Sequence, residues 1–168
     1  TAGALPGHTS LGSEDAFVCK YGLDGTASWA RQFGTPERDW GTEVTAGNDG
    51  VYVSGATYGT LPGQTSAGNR DSFARMYDHD GGEQWTVQLG TDSHDSSCHI
   101  WLTPAGMYGT GTTWGAFPGQ VHLGGSDPFI VKLDRGEFIT STFFDKDQGR
   151  LGNVVFDEFG LQVSLPCA

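Results

Sequence analysis

The sequence predicts an all-β fold, a β-propeller of four-stranded blades with three repeats of about 56 residues in a chain of 168. Three observations lead there. The run Gly50-Val51-Tyr52-Val53-Ser54-Gly55-Ala56-Thr57-Tyr58-Gly59 returns 56 residues later as Gly106-Met107-Tyr108-Gly109-Thr110-Gly111-Thr112-Thr113-Trp114-Gly115. The same offset joins Leu5-Pro6-Gly7, Leu61-Pro62-Gly63 and Phe117-Pro118-Gly119, so one domain is read as repeats of roughly 1–56, 57–112 and 113–168. The 27 glycines argue against long helices, since Gly costs about 1 kcal/mol against Ala at each helical position. Finally, the period divides into four short apolar or alternating runs separated by turn signals, the pattern of a propeller blade. A β-trefoil, with twelve strands in threefold arrangement, is the alternative; its repeats are usually shorter.

Residues 1–14 read as a loop rich in Gly, Ser and Thr. Asp15 to Tyr21 is an apolar strand ending at the turn Gly22-Leu23-Asp24-Gly25, and Ser28 to Phe33 is its hairpin partner. Gly41 to Ala46 is a third strand. Asn48-Asp49-Gly50 is a turn, because Asn, Asp and Gly accept positive φ at low cost. Val51 to Ala56 is the fourth strand. In the second period the equivalents are Asp71 to Tyr77, Gln84 to Leu89, Cys98 to Leu102 and Met107 to Thr112, with Asp78-His79-Asp80-Gly81 read as a turn. The third period departs from the pattern. Asp127 to Leu133 is clear and Asp134-Arg135-Gly136 is its turn; Val154 to Phe156 and Leu161 to Ser164 are expected to be the last two strands.

Gly-x-x-Asp-x-Phe occurs three times, at Gly12 to Phe17, Gly68 to Phe73 and Gly124 to Phe129. With Leu/Phe-Pro-Gly, Asp-Gly followed by Trp, and Val-Tyr-Val-Ser-Gly-x-Thr, nearly the whole chain resembles the SBBP repeats, β-propeller repeats of bacterial surface and secreted proteins. The resemblance implies a propeller and a secreted, cell-surface or periplasmic location. It implies no activity. In the third period Leu161-Gln162-Val163-Ser164-Leu165-Pro166-Cys167 replaces the Val-Tyr-Val-Ser-Gly-x-Thr segment, a departure from a regular last blade.

In propeller order the inner strand of a blade is Gly41 to Ala46, with Val51 to Ala56, Asp71 to Tyr77 and Gln84 to Leu89 following outward. The chain then begins with two outer strands of one blade and ends with two inner strands of another. Propellers have about 4–8 blades, and open edges invite pairing. Two copies are therefore expected to form a homodimer, a six-bladed ring with two shared blades. A fragment of a longer surface protein is the rival.

The net charge of −11 argues against nucleic acid, which needs clustered Lys and Arg. It suits solubility and permits a cation. No stretch approaches the roughly 20 apolar residues of a membrane span. A leader already removed, or excision from a longer chain, both fit the start at Thr1. Cys19, Cys98 and Cys167 show no metal or redox spacing; they read as buried thiols, or as one pair with one left over.

Asp15, Asp71 and Asp127 share one position before an apolar strand and are candidate Ca²⁺ ligands. The competing role is to accept hydrogen bonds from loop amides, which suits a residue present in every repeat. The inter-blade loops vary while the frame repeats, so they are the place for a glycan or protein ligand. They carry Asp39 and Trp40 in one loop and Asp92, His94 and Asp95 in its equivalent. Tyr58 and Trp114 share a position beside them, to stack on a sugar ring if exposed or pack the blades if buried. The five histidines have no compact ligand spacing, and neither a Gly-x-Ser-x-Gly elbow nor a phosphate loop occurs. The sequence thus favours a non-catalytic binding or assembly module. A glycan-active hydrolase using acid pairs such as Asp92 with Asp95 is the enzymatic alternative.

Overall fold

A computed structural model describes the backbone of residues 1–103, 106–122, 124–134, 137–145 and 150–151, and the side chains of those among them up to residue 133 except 97 and 98. All described elements are strands: β1 (Ala16–Tyr21), β2 (Ala27–Phe33), β3 (Asp39–Ala46), β4 (Val51–Thr57), β5 (Asp71–Tyr77), β6 (Glu83–Leu89), β7 (Asp95–Thr103), β8 (Gly106–Thr113), β9 (Asp127–Asp134), β10 (Glu137–Asp145) and the two-residue β11 (Arg150–Leu151). They form antiparallel sheets in the orders β1-β2, β3-β4-β5-β6 and β7-β8-β9-β10, with β11 on the edge of β10. Each longer sheet straddles a repeat boundary, taking two strands from one period and two from the next. The strands expected at Val154 to Phe156 and Leu161 to Ser164 lie outside the described residues.

The offset of 56 recurs in the pairing. Ala16 opposes Phe33 as Ser72 opposes Leu89, and both ladders slip at the last residue, after Lys20 and after Met76. The β3–β4 ladder slips between Gly41 and Glu43 and the β7–β8 ladder between Ser97 and His99. Such bulges bend a strand and raise its twist. β3 and β7 start earlier than their apolar runs do. Asp39 pairs with Thr57 and Asp95 with Thr113, so the polar loop ends join the ladders. β10, whose sequence shows no clear alternation, pairs along β9 from Glu137 to Phe143.

Two apolar layers separate the sheets. Ala16, Val18 and Phe33 meet Val53, Leu61, Phe73 and Tyr77 between the first and second sheets. Tyr52, Ala74 and Met76 meet Ile100, Met107, Phe117, Phe129, Val131 and Leu133 between the second and third. β5 is buried along its whole length because it has a sheet on each side. The Leu-Pro-Gly loops seal the layers: Leu61 and Phe117 are enclosed, and Gly63 and Gly119 take positive φ (75° and 77°), where glycine has no Cβ penalty.

Among the described residues, the first sheet is covered on one face only. Phe17 is 49% exposed and Tyr21 62%, while the residues 56 positions on, Phe73 and Tyr77, are 1% and 2% exposed. The chemistry at these positions is the same; the difference is that no described sheet packs on the outer face of β1.

Candidate functional site

The loops at one end of the sheets repeat a three-residue rung. Glu14 pairs in parallel with Arg38 in an isolated bridge, and Tyr58 N–H donates to the Arg38 carbonyl at 2.9 Å. In the next unit Arg70 pairs with His94, and Trp114 N–H donates to the His94 carbonyl at 2.9 Å. Backbone pairing therefore sets 14, 38 and 58 side by side, and 70, 94 and 114 beside them.

The side chains on these rungs form a continuous row. The Arg38 guanidinium lies 4.7 Å from the Trp40 ring centroid, and Trp40 meets Tyr58 edge-to-face at 5.5 Å. Tyr58 reaches His94 across the unit boundary at 6.4 Å. The Arg70 guanidinium stands 6.0 Å from Tyr58 and 5.9 Å from Trp114. Trp114 is 42% exposed and His94 is exposed, so the row faces solvent. Both Arg38 Nε and the Trp40 indole N–H donate to Glu14 Oε2 at 2.8 Å. The Arg38 bond first, and then that of Trp40, holds the Glu14 carboxyl below the usual range.

Of the residues expected on a ligand face, Trp40, Tyr58, His94 and Trp114 come together. Asp92 is exposed beside them: a side chain at Gly115 would meet its Oδ1 at 3.0 Å. Asp39 and Asp95 do not join them. Both are enclosed under the loop, where Asp39 Oδ2 accepts the Thr35 N–H at 2.6 Å and Asp95 Oδ2 the Thr91 N–H at 2.7 Å. The Thr35 and Thr91 hydroxyls donate to the same oxygens at 3.1 Å. Each Asp thus closes its own loop by bonding back to the backbone four residues earlier. This placement separates Asp92 from Asp95, the acid pair of the hydrolase alternative: one carboxylate is in solvent and the other is sealed. Sequence reasoning overlooked Glu14 and Arg70; their only signal was the period, which puts opposite charges at one position.

Asp15 and Asp71 sit in matching cradles of N–H donors. Asp15 Oδ2 accepts from Leu11 N–H at 2.9 Å and Gln32 Nε2 at 2.6 Å; Asp71 Oδ2 accepts from Ala67 N–H at 2.8 Å and Gln88 Nε2 at 2.7 Å. The same glutamines accept from the Leu5 and Leu61 N–H groups, tying the Pro-Gly loop to its strand. In the third unit His122 Nδ1 lies 2.9 Å from Asp127 Oδ2. The cradles supply donors, as the hydrogen-bonding role requires, and no three His, Cys, Asp or Glu side chains converge for a metal among the described residues. Asp15 Oδ1 and Asp71 Oδ1 are buried without a hydrogen-bond partner among the described residues.

Burial pushes the Asp95 carboxyl above the usual range, against the Thr113 and Thr91 hydrogen bonds, and the Asp71 charge adds to the rise. A carboxyl raised on folding favours the fold below its unfolded pKa and loses that contribution as pH rises through the folded value. Asn does not titrate. The stability of Asp95→Asn relative to wild type should therefore improve as pH is taken from about 3 to 7, read from urea midpoints; a difference independent of pH would contradict the buried charge.

A small cleft lined by Ser54, Ser72, Ile100 and Met107 has a volume of about 20 Å³, room for one water. Cys19 is a free, half-buried thiol in β1; Cys167 and the Cys98 side chain lie outside the described residues.

These features define an all-β repeat array with an aromatic and arginine-bearing loop face. No protein-family model matches the chain. It is similar to the regulatory protein FlaEY of Caulobacter vibrioides, with 31% identity over 134 residues covering 74% of this chain. The chain spans 14% of the length of FlaEY.

Proposed function

We propose that this chain is a non-catalytic β-propeller module whose blades complete one another between copies and whose loop face binds a ligand. The observation that carries this reading is the uncovered outer face of β1. Phe17 and Tyr21 stand where Phe73 and Tyr77 are buried by a neighbouring sheet. A sheet from a second copy, packing there as the first sheet packs on the second, would enclose them. At the far end of the stack Ile130 and Lys132 are half-buried, at the positions where Ala74 and Met76 are covered by the third sheet. A head-to-tail contact between these two ends closes a ring when the rotation allows it. Stacked four-strand meanders support a propeller over the trefoil. The likeness to SBBP repeats supports export to the cell surface, the periplasm or the medium.

Light scattering coupled to size-exclusion chromatography tests this. A mass near twice 17.9 kDa is expected, and Phe17→Asp should reduce it to one chain without unfolding it, because Phe17 is solvent-facing within the single copy. A wild-type monomer at tens of micromolar would overturn pairing between copies. The short overlap with FlaEY favours a second reading, in which such a module belongs to a longer polypeptide and adjoining chain covers Phe17. Because N–H donors already occupy the Oδ2 atoms of Asp15 and Asp71, EDTA should leave mass and melting temperature unchanged. A fall on chelation would make those carboxylates calcium ligands instead.

A further inference from the structure

The two rungs carry different charges. In the first, Glu14 neutralises Arg38 through contacts of 2.8 Å to both Nε and a terminal nitrogen. In the second, the position of Glu14 is occupied by Arg70 and that of Arg38 by His94. The carboxylate of the first rung has no counterpart. Arg70 Nε donates to the Asp95 carbonyl at 3.0 Å, which anchors the guanidinium. Its two terminal nitrogens have neither a hydrogen bond nor an ion pair among the described residues. In a chain of net charge −11, an arginine on a solvent-facing row without a carboxylate partner stands apart.

Its surroundings define what would complete it. The guanidinium is held between the Tyr58 and Trp114 rings, and Trp114 offers an open aromatic surface. The planar fork of Arg suits a carboxylate, which it binds through two parallel N–H donors. Flanking aromatic rings suit the apolar face of a pyranose. Asp92 and His94, both exposed at the edge of the row, add acceptor and donor capacity for hydroxyl groups. Single-stranded nucleic acid also uses arginine and aromatic rings, but it needs a basic groove along its backbone, and this chain is acidic.

From this arrangement we infer that Arg70, Tyr58 and Trp114 form a receptor for a carboxylate-bearing sugar, the uronate carboxylate giving Arg70 the kind of partner that Glu14 gives Arg38. The inference rests on the reading of the loop face as a ligand face, and it names the ligand class. Arg70 gives selectivity for the acid; Trp114 gives affinity for the ring whether charged or neutral.

The test uses the full chain, trigalacturonic acid and its methyl ester, which keeps the rings and removes the charge. Binding is followed by calorimetry and by quenching of tryptophan fluorescence. The acid should bind about tenfold more tightly than the ester at low salt, a difference set by one charge-assisted pair. Arg70→Gln should bring the acid to the level of the ester. Arg70→Lys, which keeps the charge and loses the fork, should fall between them. Trp114→Ala should weaken both ligands. Melting curves check that each variant is folded, and the lysine variant keeps the test decisive if Arg70→Gln is unstable. Acetate at equal carboxylate concentration should not compete; full competition would overturn the requirement for a sugar. Equal binding of acid and ester, both abolished by Trp114→Ala, would overturn the acidic specificity while supporting a ligand face. Binding of neither would overturn the inference, and the mass measurement would still judge assembly by itself.

Discussion

Phe73→Ala is expected to lower stability by about 3–5 kcal/mol, the usual range for removing a fully buried phenylalanine. Phe73 lies between the first and second sheets, edge-to-face against Phe33 at 5.6 Å, with Val53, Leu61 and Tyr77 in the same layer. Nothing nearby can follow a retreating ring, since its strand is pinned by hydrogen-bonded neighbours on both edges. A cavity should remain and add to the lost transfer energy. Phe17→Ala changes the same residue of the same motif one period earlier. Measured below the concentration at which copies associate, it should cost less than about 0.5 kcal/mol, as for an ordinary surface position. Urea midpoints of the two variants decide the matter. Equal losses would mean that Phe17 is covered within a single copy, and the argument for a missing neighbouring sheet would fail. Above the association concentration the prediction changes: Phe17→Ala should then shift the dimer equilibrium while Phe73→Ala still acts on each chain.

Gly55→Ala is expected to be the most damaging one-methyl change, costing about 1–3 kcal/mol or more through overpacking. A Cβ there would meet the Trp40 carbonyl oxygen across the β3–β4 ladder and the Phe73 ring at 2.6 Å. The carbonyl belongs to the backbone next to the bulge, and the ring is locked in the layer just described, so neither yields cheaply. Gly111, 56 residues on, has the same neighbours in kind, the Ser96 carbonyl and the Phe129 ring. The pair therefore explains why both copies of the fourth strand carry glycine at one position. Gly3→Ala is the control, since open space surrounds it; it should stay within about 0.5 kcal/mol of wild type. A thermal melt of Gly55→Ala unchanged from wild type would show that the β3–β4 pairing can widen, and with it the Trp40 end of the ligand face.

Much of the architecture was legible in the chain. Leu61-Pro62-Gly63 and Phe117-Pro118-Gly119 announced their turns because proline and positive-φ glycine are local constraints. Asp71 to Tyr77 read as a strand and is one. The strand order of the second sheet is the one expected from propeller order, β3-β4-β5-β6. The early starts of β3 and β7 were missed, because Asp39 and Asp95 are polar residues that joined their ladders only once a threonine on the same loop and the end of the next strand were in place. The same polar character had suggested a ligand face, and enclosure reversed that. Trp40, Tyr58, His94 and Trp114 were legible as loop residues, but not as one row.

Turns, strand alternation and the repeat are local properties, set by residues within a few positions of one another, and they are read from the order of amino acids. Burial and partnership are relations between distant segments. Phe17 and Phe73 occupy one motif, and only the stacking of sheets made one a surface residue and the other core. Arg70 and Trp114 are 44 positions apart, and only the rungs between neighbouring units set the guanidinium between two rings with no carboxylate paired to it among the described residues.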